Sequence, residues 1–245
     1  MSRGIRLIFT AHKKGIFMKK YLINLSKYLG MCVLSMGISS HALADVIFSN
    51  FGPGYTYNVS SGNVVGDGFD GSIYSEGDSF TPIQNAVFGS LRIALSEVFP
   101  GSQGVPLTIS LTADSGNAPG AVLESWLMAP GGLGLLGNNN APVVLNSSLN
   151  LTLLAGTEYW ITASLGGMGN AIAWNWNSTG DMNAHAIDDG SGWFSPSGMT
   201  PGAFEVDSAA SVPEPSTLAL FGVAFVGIAA RSRRKSSAPR STLNS

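Results

Sequence analysis

Two acidic stretches hold most of the side chains that could do chemistry here. "DGFDGSIYSEGD" offers Asp67, Asp70, Glu76 and Asp78, and "AIDDGSG" offers Asp188 and Asp189. Hard oxygen donors on flexible loops are what calcium selects. Neither stretch has EF-hand spacing, however, and Asp-Gly is also ordinary turn chemistry. The bare residues therefore leave a calcium site and two plain turns open. No other cofactor is suggested. His185, in "DMNAHAIDDG", is the only histidine after residue 44. A serine nucleophile would need it as a partnered base, but no Gly-x-Ser-x-Gly elbow is present. A single surface or hydrogen-bonded histidine is the simpler reading, and no catalytic residue is assigned. Trp174, Trp176 and Trp193 could stack on sugar rings. Trp174 and Trp176 alternate with Asn175, as core residues of a strand do; Trp193 lies in the Gly-Ser-rich "GSGWFSPSG". An exposed aromatic platform would favour sugar binding. A concave pocket joining His185 to a carboxylate would favour an enzyme.

The elements that must position these residues read as strands. "VFGSLRIALS" sets Val87, Leu91, Ile93 and Leu95 at alternate positions, and "VPLTISLTAD" does the same with Val105, Leu107, Ile109 and Leu111. "LNLTLLAGTEYWITASL" gives Leu149, Leu151 and Leu153, a hairpin-like turn at Ala155-Gly156-Thr157, then Tyr159, Ile161 and Ala163. This pattern marks half-buried strands. With frequent Gly, Asn, Ser and Pro between them, it predicts an all-β fold. The expected form is an antiparallel, jelly-roll-like β-sandwich of about eight to ten strands over residues 45–207. "APGGLGLLGNNNAP" is the longest expected loop, and residues 208–211 form a linker.

Charge separates this body from its two ends. Between Asp45 and Val212 there are fourteen carboxylates against the single Arg92, a formal charge of −13. Such a body repels phosphate backbones, which argues against nucleic-acid binding. The only cysteine, Cys32, lies ahead of the body, so disulfides and thiolate chemistry are excluded there. "MKKYLINLSKYLGMCVLSMGISSHALA" has a lysine head, a short apolar run and the small-x-small ending Ala42-Leu43-Ala44. This is the pattern of a secretory signal peptide cleaved before Asp45, with a buried helix as the alternative. Met18 is the expected start, and residues 1–17 are an extension.

The other end is "VPEPSTLALFGVAFVGIAARSRRK". Val212, Pro213, Glu214 and Pro215 cannot continue a helix or a central strand. An uncharged run then opens at Ser216 and closes at Ala230, followed by Arg231, Arg233, Arg234 and Lys235. As a helix its fifteen residues would reach about 22 Å, short of the roughly 30 Å hydrocarbon core. By the positive-inside rule the arginines stay cytoplasmic and the body faces outward. The Pro-Glu-Pro triplet, apolar run and basic cluster, in this order, resemble the PEP-CTERM sorting signal of Gram-negative bacteria. The resemblance implies transient membrane engagement through the run and processing by an exosortase. It also implies a place in the cell envelope, outer surface or extracellular matrix of an organism that makes exopolysaccharide or biofilm. Residues 236–245 continue past the usual end of such signals as a basic, polar tail. An ordinary tail anchor is the alternative.

Within the body, "FSNFGPGYTYN", "SLTADSGNAPGAVLESW" and "LLAGTEYWITAS" resemble choice-anchor domains, particularly the R type. These are extracellular β-sandwich modules that occur with alternative surface-sorting tags. The resemblance implies no catalytic residue. The chain is thus read as an exported, non-catalytic surface or matrix protein. The alternatives are a carbohydrate-binding module for exopolysaccharide and, less favoured, a secreted enzyme. The four Asn-x-Ser/Thr sites at Asn58, Asn146, Asn150 and Asn177 are incidental in a bacterium. N-terminal sequencing of exported protein should return Asp45-Val46-Ile47; a start well upstream would contradict the signal peptide.

Overall fold

A computed structural model describes residues 44–99, 105–128 and 132–210. The signal peptide with Ala42, the sorting signal from Val212 to Lys235 and residues 236–245 lie outside the described residues. So does the start of the expected loop, residues 129–131.

The described residues form strands and no helix. In chain order these are β1 (Val46–Ser49), β2 (Gly62–Asp67), β3 (Ile73–Phe80), β4 (Ala86–Ile93), β5 (Leu95–Glu97), β6 (Leu107–Asp114) and β7 (Pro119–Met128). There follow β8 (Val143–Asn146), β9 (Thr152–Leu153), β10 (Tyr159–Leu165), β11 (Ala171–Asn175), β12 (His185–Asp188), β13 (Trp193–Phe194) and β14 (Phe204–Ser208). One sheet runs β1-β14-β4-β8, with β9 on β4. The other runs β5-β11-β2-β3-β10-β6-β7, with β12 on β3 and β13 on β12. All named strand pairs are antiparallel, and the expected sandwich is present.

The strands outnumber the expectation because several bend from one sheet into the other. β4 and β5 are one run of chain broken at Ala94. Its N–H donates to the Ala203 carbonyl of the segment leading into β14, and its carbonyl accepts from Asn175 N–H on β11. The Trp176–Gly202 bridge continues this junction. Strands that switch sheets in this way build the corners of a sandwich.

The core is one cluster in which Phe80, Phe88, Leu91, Ile93, Leu107, Ile109, Leu111, Ile161, Trp174 and Phe204 are buried. The alternation read from sequence holds along β6 and β10. On β10, Trp160 and Thr162 are buried as well as Tyr159, Ile161 and Ala163, so both faces are covered. Pro119 and Trp193 close over the second face at Gly77, where a Cβ would meet both.

Two expectations are corrected. Val87 does not share a face with Leu91 and Ile93; it is exposed and Phe88 is buried. The pairing of β14 with β4 slips between Asp207 and Ser208, and such an irregularity reverses the facing of every residue beyond it. The Ala155-Gly156-Thr157 turn does not close a hairpin either. β9 pairs with β4, while β10 pairs with β3 and β6, so this turn crosses between the sheets. Gly156 takes a positive φ of 71° there, and Leu154 N–H donates to the Tyr159 hydroxyl at 3.0 Å. This is the tyrosine-corner device by which sandwiches pin a crossing chain.

Gly202 marks the tightest point of the sheet junction, because a Cβ on it would overlap the Trp174 indole. Gly202→Ala should cost about 1–3 kcal/mol, as overpacking does. That is roughly 2–12 °C in Tm for a domain of this size. An unchanged thermal melt would contradict the junction.

Candidate functional site

Glu76 and Asp78 are two residues apart on β3, so they share a face. Phe80 continues this face into the core, and Asp78 is fully buried. A buried lone carboxylate is costly unless it is paired and hydrogen-bonded. The fold supplies both partners. β12 sets His185 directly opposite Asp78, and His185 Nδ1 lies 2.7 Å from Asp78 Oδ1. The second oxygen of Asp78 accepts from Gly202 N–H at 2.7 Å. On the other side of the ring, His185 Nε2 is 3.0 Å from Glu76 Oε2, an ion-pair contact that lacks hydrogen-bond geometry.

The charges follow from this enclosure. Burial works against a charged imidazole, but the two carboxylates outweigh it and lift His185 to about 9. Burial raises Glu76 to about 7, against the pull of His185. Burial also raises Asp78, with His185 and Gly202 opposing the shift. Near neutral pH an imidazolium thus lies between two carboxyl groups, each pushed toward its protonated form by burial. Chemically the cluster can hold and exchange a proton. Both ring nitrogens face carboxylates.

A cavity of about 240 Å³ lies beside His185, lined also by Asn117, Met182, Asn183 and Ala184 and by Ser195 to Met199. The carboxylates of Glu76 and Asp78 do not line it. His185 therefore contributes to a cavity wall while its acid partners face inward.

The remaining acidic candidates are engaged in turns. Asp67 accepts from Phe69 and Gly169 N–H groups at the β2–β3 turn. Asp70 accepts from Ser72 N–H and the Tyr74 hydroxyl, which hold its carboxyl below its ordinary value. Asp188 accepts from Gly190 and Gly192 N–H groups, and Asp189 from the hydroxyl and N–H of Ser191. Among the described residues no three His, Cys, Asp or Glu side chains gather as a metal would need. Of the tryptophans, Trp174 is wholly buried and donates to Ala203 O. Trp176 is half-buried and donates to Asn63 Oδ1. Trp193 is half-buried in β13. The three form no exposed platform.

Sequence reasoning missed the buried asparagines at the sheet junction. Asn50 donates to Gly202 O and accepts from Phe204 N–H. Asn175 donates to Asn58 O and accepts from the Ser96 hydroxyl. Asn177 accepts from Thr179, Gly180 and Asp181 N–H groups. Asn50 stands inside "FSNFG", where it reads as a turn residue. The available signal for the triad was parity: Glu76 and Asp78 alternate with Phe80 in a strand whose far end is apolar.

After β14 comes the segment read from sequence as a sorting signal. Residues 211–235 match the PEP-CTERM protein-sorting motif. The chain carries a PEP-CTERM sorting signal. Val212, Pro213, Glu214, Pro215 and the basic group Arg231, Arg233, Arg234 and Lys235 all lie within the match. A PEP-CTERM signal implies exosortase-dependent sorting to the cell envelope surface. No curated protein matches the chain. Upstream of the PEP-CTERM signal, Asp45 N–H donates to the Ser208 hydroxyl at 2.8 Å, so both ends of the body meet.

The buried triad sets a pH dependence. His185 and Glu76 both have folded values above their unfolded ones, so the folded state binds more protons. The Glu76 contribution is complete below about 4.5 and lost as pH rises through about 7. That of His185 is complete below about 6.5 and lost through about 9. Asp78, raised by burial, acts in the same direction, so stability should fall and Tm drop as pH rises from 5 to 9. His185→Gln removes the cation from between two buried carboxylates and should cost about 3–5 kcal/mol at pH 7. Melts that rise from pH 5 to 9, or an unaffected variant, would contradict the pairing.

Proposed function

We propose that this chain is a non-catalytic display module of the choice-anchor type. An exosortase releases it from its C-terminal signal, and it resides in an exopolysaccharide matrix on a Gram-negative cell. The observation that carries the reading is the sorting motif at residues 211–235, set directly after a closed β-sandwich. The body supports it in two ways. Its one histidine is held on both sides by carboxylates, which suits a structural role. Its formal charge of −13 keeps it soluble and away from polyanions unless cations bridge them.

A sugar-binding reading has one observation in its favour. The cavity beside His185 is lined by Asn117, Asn183, Ser195 and Ser197, next to Met182 and Met199. Polar groups beside apolar side chains are what a small polyol would meet in a binding pocket. Binding of the matrix polysaccharide that is lost in Asn183→Ala would favour this reading over simple display.

The sorting claim has a direct test in cells with and without an exosortase. Changing Pro213, Glu214 and Pro215 together to alanine should leave the protein membrane-bound and unprocessed. Val223→Arg places a charge mid-run at about 2.5–3.5 kcal/mol and should abolish membrane engagement. A mature mass unaffected by the triple change and by loss of the exosortase would make the segment a tail anchor only.

A further inference from the structure

One end of the sandwich is built differently from the other. β1 starts there and β14 ends there, with Ser208 N–H bonded to the Asp45 carbonyl. The start of β4 lies beside them, with Ala209 N–H bonded to the Val87 carbonyl. β9 adjoins it through the Val87–Thr152 pair, and Gly156 N–H closes the rim on the Pro82 carbonyl. Ser147 N–H, on the Gly89 carbonyl, ties in the turn after β8.

This hydrogen-bonded rim carries Val46, Ile83, Val87, Leu149 and Leu154, all between 39% and 90% exposed. Among the described residues the charged groups at this end are carboxylates: Asp45, Glu158, Asp114 beside it, and Glu124, which accepts from Ser147 and Ser148. The rim is thus the apolar end at which the first and last strands of the body meet, whereas the opposite end mixes the exposed Phe69 and Met168 with Asp67, Asp70, Asp188 and Asp189.

The chain outside the structure decides what the apolar end meets. The sorting motif begins at residue 211, three residues beyond Ser208, and its uncharged run opens at Ser216. The seven residues 209–215 span at most about 25 Å when fully extended. Whichever membrane the run enters, the tether leaves the body from the apolar end. Exposed aliphatic side chains at a membrane boundary bind by burying apolar area.

We propose that the rim of Val46, Ile83, Val87, Leu149 and Leu154 is a lipid-docking face, which seats the body on the bilayer while the sorting segment is still attached. The proposal rests on the sorting reading. It further requires that docking be apolar: with Asp45 and Glu158 on the rim, anionic lipid weakens it and salt does not.

The test uses the full chain with Cys32→Ser, which is then free of cysteine, reconstituted into phosphatidylethanolamine–phosphatidylcholine vesicles. Bimane is placed at Ile83→Cys, Leu154→Cys or, as the control, Met168→Cys in the β10–β11 turn at the opposite end. Flotation reports whether the run engages lipid, and quenching by nitroxide-labelled lipid reports which face touches it. The expected result is flotation of all three, with at least twofold stronger quenching at Ile83 and Leu154 than at Met168. Flotation with equal quenching at all three positions overturns the docking face but not the sorting segment. Failure to float overturns both. Cysteine crosslinks between copies at Ile83 without lipid, and no quenching with it, would make the rim a self-association surface and overturn the proposal.

Discussion

The fold depends on finding partners for one buried carboxylate. Asp78 sits near the end of β3, on the face that leads to Phe80 and the core. Its two oxygens have different obligations. One holds His185, which fixes β12 against β3; the other holds Gly202 N–H, which fixes the crossing of the chain into β14. Three elements far apart in sequence are thus tied to one side chain. Removing any partner leaves a buried charge without compensation, and that is more costly than a lost surface pair. Glu76 enters the same arrangement from one residue pair away, and its proton makes the enclosure tolerable near neutral pH.

The junction at Gly202 repeats this logic without formal charge. Ala94, Asn175 and Ala203 exchange backbone bonds across the two sheets, and Asn50 reads both Gly202 and Phe204. Unpaired backbone groups in a buried corner are costly, so each bend is matched by an amide. A body without cysteine has no disulfide closure. These polar corners, with the Trp174 indole wedged beside Gly202, hold the two sheets in register instead.

The strand pattern was legible because β6 and β10 alternate cleanly and each of their core residues is aliphatic or aromatic. The sorting segment was legible because its three parts are contiguous. What failed were positions where the chain changes its partner. Val87 follows the local alternation on paper, but a register slip beside Gly89 turns it outward. The Gly156 turn has hairpin chemistry, yet tertiary pairing sends its two strands to different sheets. The acidic stretch from Asp67 to Asp78 reads as one loop, whereas β3 carries its second half into the core. Nothing local in "SEGD" distinguishes a ligand cluster from a buried pair, since the deciding partner, His185, is 107 residues away.

These features combine into one account: an exported sandwich, closed on itself where β1 meets β14, from which the sorting segment departs. Both ends of the mature protein should then be processed close to this closure. The intact mass of the protein recovered from the cell surface tests this most directly. The account predicts a chain that begins at Asp45 and ends between Ser208 and Pro215, lacking the apolar run. A surface protein that retains Arg231 to Lys235 would contradict it.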